Sequence, residues 1–127
     1  MTVTEPQLAD GRIVAIAGPV VDVEFPPSAL PEINTALEFT INVGGDDIVV
    51  TAEVAQQIGD GRVRAIAMKP TDGLVRGTAV RNTGAGISVP VGDATLGHVF
   101  NVLGAPLDVD AVEATERWEI HRSAPAF

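Results

Sequence analysis

Residues 37–54 read LEFTINVGGDDIVVTAEV, two runs of alternating polarity on either side of a glycine pair. In the first run Leu37, Phe39, Ile41 and Val43 share one face and Glu38, Thr40 and Asn42 the other, the two-residue period of a half-buried strand. In the second run Ile48, Val50, Ala52 and Val54 alternate with Val49, Thr51, Glu53 and Ala55. Gly44 and Gly45 reach the positive φ values of a tight turn without a Cβ penalty, so the stretch predicts an antiparallel hairpin. Each large apolar side chain on its inner face contributes about 1.5–3 kcal/mol when fully buried. A lone hairpin is marginal in water, so this one requires partner strands from the rest of the chain.

Working outward from the hairpin, such partners are present. On the N-terminal side, residues 13–17 are apolar on both faces and end at Gly18 and Pro19, and Val21, Val23 and Phe25 alternate with Asp22 and Glu24. Pro26, Pro27 and Pro31 exclude regular ladders, which leaves an ordered loop of extended character before the hairpin. On the C-terminal side, Gly59, Asp60 and Gly61 turn the chain into a strand over residues 62–68 that ends at Pro70. Asp72 and Gly73 turn it again into a strand over residues 78–83, closed by Gly84, Ala85 and Gly86. About six short strands at roughly 8–12-residue spacing predict a small all-β barrel or sandwich. Closure removes exposed edges and lets Val, Ile and Ala fill a narrow interior, so the expectation is a six-stranded β-barrel, with an open sandwich as the alternative.

Composition narrows the function classes. The chain has 127 residues, enough for one domain or for a small domain and a piece of another. A net charge of −9 argues against nucleic acid as a partner, because phosphate affinity comes from clustered Lys and Arg. Apolar residues make up 46% but aromatics only 4%, so the core must be aliphatic. There is no cysteine, which removes disulfides and thiolate metal sites. Residues 1–10 are polar and predict a mobile arm without the basic and apolar regions of a signal sequence. No stretch approaches the ~20 apolar residues of a membrane span, so no direct membrane insertion is expected.

Beyond Gly86 the pattern changes. Residues 88–92 predict an extended segment, and Asp93 is placed to cap a helix whose Leu96, Val99, Phe100 and Leu103 follow a helical stripe until Gly104 and Pro106. Residues 107–116 are acidic and aperiodic, and Trp118, Ile120 and His121 predict a last extended piece. One helix and two short strands cannot enclose a core. The helix face is therefore expected to be exposed.

Motifs that carry chemistry are missing one component or another. The single lysine, Lys69, lies between Met68 and Pro70 and so forms no P-loop. Gly84, Gly86 and Val89 lack the third glycine of a dinucleotide fingerprint, and Ser88 lacks the closing glycine of a nucleophile elbow. His98 and His121 sit in no metal motif; Asp108, Asp110, Glu113 and Glu116 lack the turn glycine of a calcium loop and read as a solvated acidic loop. Arg76, with Arg62, Arg64 and Arg81, is either an interface set or a scatter of surface charges offsetting acidic neighbours. No catalytic, cofactor-binding or metal-binding residue is assigned.

Taken together, GRIVAIAGPVVDVEF (residues 11–25), RAIAM (64–68), DGLVRG (72–77), VPVGD (89–93) and LGHVFNVLG (96–104) resemble the N-terminal part of the β subunits of F-type ATP synthases, across nearly the whole chain. DGLVRG favours the β over the α subunits, and the resemblance is of bacterial type, without a transit peptide. His98 stands where many relatives carry Arg. The resemblance implies an N-terminal arm (residues 1–11), a β-barrel domain (12–83), and a linker with the incomplete start of an α/β nucleotide-binding domain (84–127). It also implies that the parent subunit makes ATP from ADP and phosphate, driven by proton flow, with Mg-ATP or ADP bound outside this stretch. The family's P-loop lysine, catalytic glutamate and adenine-stacking aromatic have no counterpart here, so the chain itself is expected to be inactive. The implied partners are alternating α subunits and other subunits of the catalytic sector, and the implied location is peripheral, on the cytoplasmic face of the bacterial plasma membrane. Two rival classes are a free-standing OB-like binding barrel, disfavoured by acidity and few aromatics, and a small hydrolase using Ser88 or the acidic loop.

Overall fold

The structure, a computed structural model, describes residues 8–127; the arm expected over residues 1–11 lies mostly outside them. Six strands form a closed barrel: β1 (Gly11–Ala17), β2 (Val20–Glu24), β3 (Thr35–Val43), β4 (Asp46–Gly59), β5 (Arg62–Ala67) and β6 (Ala79–Gly86), in the order β1-β2-β5-β4-β3-β6. The six expected strands are all present, and the open sandwich is excluded.

The central hairpin is β3 and β4. Val43 pairs with Asp46 across Gly44 and Gly45, whose φ values of 60° and 92° are the two positive angles that a type I′ turn requires. The register sets Leu37 opposite Ala52 and Phe39 opposite Val50, so alternation sends Leu37, Phe39, Ile41, Val50, Ala52 and Val54 inward. They meet Ile13, Val21, Val23, Phe25, Val63, Ala65 and Val80 in one core that is aliphatic but for Phe25 and Phe39. Val43 and Ile48, on the same stripe, are 46% and 39% exposed because the hairpin tip projects past the barrel's end. Register shifts between Ile13 and Ala15 in β1 and between Val54 and Gly59 in β4 mark bulges, which bend and twist strands as a small barrel requires.

Between β2 and β3, Pro27–Ala29 forms one 3-10 turn. Gln57 Nε2 holds this loop by donating to the Pro31 carbonyl (3.0 Å). β6 runs to Gly86, through the glycines at which the sequence reading ends the strand and begins a linker, and Thr83 Oγ1 donates to the Ala36 carbonyl at 2.6 Å. The barrel closes where β1 meets β6, with Gly11 opposite Val80 and Arg12 opposite Ala79. The chain before β1 continues along β6: a Cβ on Gly84 would sit 2.7 Å from Leu8 Cδ1.

The chain divides into two compact units, the first ending at Ala85 and the second Gly86–Phe127. In the second, β7 (Ser88–Val91) and β8 (Glu116–Glu119) form a two-stranded antiparallel sheet with Val89 opposite Trp118. The first expected extended segment is therefore a strand, and the second is met in part: Trp118 lies in β8, while Ile120 and His121 fall beyond its end. The expected helix over residues 93–103 is not there. Asp93–Thr95 makes one 3-10 turn, Leu96 is already extended (ψ 134°), and Gly97 takes φ 77°, a left-handed angle that no helix interior accommodates. Residues 98–108 instead form a hairpin loop: Leu107 N–H donates to the Val99 carbonyl (2.8 Å), Asn101 N–H to Ala105 (2.9 Å), and Phe100 bridges Pro106. Asn101 Oδ1 accepts from Leu103 and Ala105 N–H, both at 3.0 Å, which satisfies donors that a helix would have used. Gly104 is buried where a Cβ would lie 2.8 Å from Pro90 Cδ, so the hairpin packs on β7. Leu96 and Val99 are exposed, as the sequence predicts for that stripe, whereas Phe100 and Leu103 are half-buried. Among the described residues there is no α-helix, and no helix is long and apolar enough to cross a membrane.

Candidate interaction surface of the barrel

Alternation along the strands that send Val, Ile and Ala inward must send their neighbours outward, and there register decides which charges meet. Asp22 lies opposite Arg64, and Glu24 opposite both Arg12 and Arg62. Arg64 grips Asp22 through two bonds, Nε to Oδ1 at 2.9 Å and Nη2 to Oδ2 at 3.1 Å. Glu24 accepts from Arg12 Nη2 (3.0 Å) and Arg62 Nε (3.4 Å). On the far side Arg81 Nη2 meets Glu38 at 2.9 Å. These contacts set the local electrostatics. The hydrogen bond from Arg12, reinforced by Arg62, holds the Glu24 carboxyl below its ordinary range. Asp22 raises the Arg64 guanidinium, and Glu38 raises that of Arg81. Exposed pairs of this kind add little to stability, but they fix charge placement on the surface.

Of the four arginines singled out in the sequence, Arg62, Arg64 and Arg81 are thus surface charges offsetting acidic neighbours. Arg76 stands apart in the loop between β5 and β6, exposed. Lys69 Nζ donates to the Val49 carbonyl at 3.3 Å, a tie between that loop and β4.

In the second unit the candidate groups are engaged in holding loops. Ser88 Oγ accepts from Arg117 Nε (3.1 Å), whose Nη2 donates to the Ser88 carbonyl (2.8 Å); a guanidinium is no general base at neutral pH, so this serine is a structural anchor. Asp108, read from sequence as part of a solvated acidic loop, is instead the base of the 98–108 hairpin: its Oδ2 lies 3.0 Å from His98 Nδ1 and its Oδ1 accepts from Val99 N–H at 3.4 Å. The His98 contact holds the Asp108 carboxyl below its usual value. Glu116 accepts from Trp118 Nε1 at 2.8 Å, and Arg122 stacks 3.6 Å above the Trp118 ring. Both contacts are local to β8 and the residues just after it, whereas the Arg117–Ser88 contact, 29 positions apart, needed the β7–β8 register to be seen. Among the described residues no group of three or more His, Cys, Asp or Glu side chains is placed to hold a metal ion. A surface hollow lined by Leu8, Leu30, Pro31 and Asn82 has its buried amide committed, since Asn82 Oδ1 accepts from Gly84 N–H at 2.9 Å.

Together β1 to β6 make a closed six-stranded antiparallel β-barrel with a largely aliphatic core and an outer coat of cross-strand ion pairs. The family model described as "ATP synthase alpha/beta family, beta-barrel domain" matches residues 13–84, which is more than half of the chain and runs from β1 into β6. The chain belongs to the ATP synthase alpha/beta family, and its barrel is that family's barrel domain.

Proposed function

We propose that this chain is the barrel portion of the catalytic β subunit of a rotary, proton-translocating ATP synthase of bacterial type. Its task is mechanical: barrels of neighbouring subunits stand side by side, β alternating with α, and hold the ring together. The observation that carries this reading is the family barrel over residues 13–84 with the DGLVRG stretch, residues 72–77, on its surface loop. The coat of paired charges supports it, since rim charges steer partners and fix register more than they add affinity. Residues 84–127 are the lead-in to the nucleotide-binding domain. The holoenzyme location is peripheral, on the cytoplasmic face of the plasma membrane.

The described residues do not fit Mg-ATP. Lys69 is committed to a backbone carbonyl on a barrel loop, and the glycines at 84 and 86 lie in a strand rather than ahead of a helix N-terminus. ATP synthesis, with Mg²⁺ and nucleotide, is therefore assigned to other parts of the subunit. Two measurements test this reading together. Calorimetric titration of the chain with micromolar Mg-ATP is expected to give no saturable heat, and sedimentation is expected to show association with the matching α-subunit barrel but no homo-hexamer. A saturable Mg-ATP signal, or a stable ring of this chain alone, would overturn it.

A further inference from the structure

The 98–108 hairpin is held at its two ends by different chemistry. At the tip the clamp is an amide, Asn101 Oδ1 accepting from Leu103 and Ala105 N–H, and an amide neither gains nor loses a proton at ordinary pH. At the base it is an imidazole and a carboxylate. His98 Nδ1 lies 3.0 Å from Asp108 Oδ2, Asp108 Oδ1 accepts from Val99 N–H at 3.4 Å, and the bond from Leu107 N–H to the Val99 carbonyl (2.8 Å) closes the same rung. One carboxylate thus ties the side chain of His98 and the backbone of Val99 to the returning arm of the hairpin. The other cations of this unit with a described contact are placed elsewhere, Arg117 on Ser88 and Arg122 over Trp118. β7, on which the hairpin packs, has no ionisable side chain, and the 3-10 turn before His98 has Asp93 alone. Glu116 and Glu119 on β8 accept from Trp118 Nε1 and Gly86 N–H, and Asp110 and Glu113 follow in the loop.

An imidazolium always carries a proton on Nδ1 and sets a positive charge against Asp108. A neutral ring donates from Nδ1 in only one of its two tautomers and brings no charge. We propose that His98 and Asp108 form a proton-operated clasp: with the imidazolium in place the base of the hairpin is shut, and loss of that proton loosens residues 98–99 from 107–108 while the Asn101 clamp keeps the tip. The hairpin therefore opens from its base as pH rises through the imidazole range, about pH 5–8. At the acid end the carboxylate sets the limit. The contact with His98 holds the Asp108 carboxyl below its ordinary 3.8, so its contribution is fully present above that value and is lost as pH falls through the lowered one.

The test follows amide solvent exchange by NMR in the full 127-residue chain, from about pH 5.5 to about pH 8, with each rate normalised to the intrinsic chemical rate at that pH. Wild type is compared with His98→Gln, which donates but does not titrate, and with Asp108→Asn, which still accepts but carries no charge. The Phe39 and Val50 amides of the barrel report in the same spectra that the fold is intact. In wild type, protection at Val99 and Leu107 is expected to fall about two- to fivefold as pH rises, the scale of a partly exposed pair, while Leu103 and Ala105 keep theirs. Both variants are expected to lose that pH dependence, and either one decides the matter if the other fails to fold. His121 is the chain's other imidazole, so a dependence that survives in His98→Gln would overturn the clasp. Wild-type protection at the base that does not change with pH would overturn it too, as would an equal change at the tip, which would mean that the hairpin opens as a whole.

Discussion

Leu37 has no solvent-exposed surface and sits at the centre of the aliphatic core, so Leu37→Ala removes buried methyl groups and leaves a cavity that a small barrel fills poorly. The expected loss is about 2–5 kcal/mol in a denaturant melt, whereas Leu96→Ala, at a position 73% exposed, stays within about 0.5 kcal/mol. Charged residues are read through pH. The Glu24 carboxyl is depressed below its ordinary 4.5 by Arg12 and Arg62, so its contribution is fully present above that value and is lost as pH falls through the depressed one. Melting temperature should therefore decline on the acid side more steeply in wild type than in Glu24→Gln; parallel curves would remove this pair from the acid response. None of these pairings could be read from sequence, because Arg64 and Asp22 lie 42 positions apart and only the β2–β5 register brings them together. The inward residues were legible, since alternation is a local property that survives whatever the partner strand is.

At the scale of elements the same distinction separates β3 and β4 from the 98–108 hairpin. Both barrel strands declare themselves by period, and Gly44 and Gly45 fix the turn. In the second unit Leu96, Val99, Phe100 and Leu103 have helical spacing, but spacing does not reveal that Gly97 is left-handed or that Asn101 takes over the backbone donors of Leu103 and Ala105. The available signals were the β-branched Val99 and Val102, weak helix formers, and an asparagine three residues ahead of Gly104. Asn101→Ala is expected to speed hydrogen exchange at the Leu103 and Ala105 amides while leaving the Phe39–Val50 ladder unchanged. Unaltered exchange at both amides would show that the backbone ladder alone holds the hairpin.

Across the whole molecule, protection should follow the barrel. Residues 109–115 run between the 98–108 hairpin and β8 outside any strand, mostly exposed, and limited proteolysis is expected to cut there before cutting in residues 37–54. Early cleavage within the central hairpin would contradict the core as described. The sequence points the same way, because the N-terminal two thirds supply six alternating strands while the remainder supplies a single apolar stripe with too few elements to enclose it. The seam between β1 and β6 carries a different consequence. Leu8 lies against Gly84, so the chain arrives at the barrel and departs from it at neighbouring points. A domain with adjacent entry and exit behaves topologically as a cassette: it can be spliced into a host loop, or its ends joined by a short linker and the chain reopened at the Gly44–Gly45 turn, without altering the order of strands around the barrel.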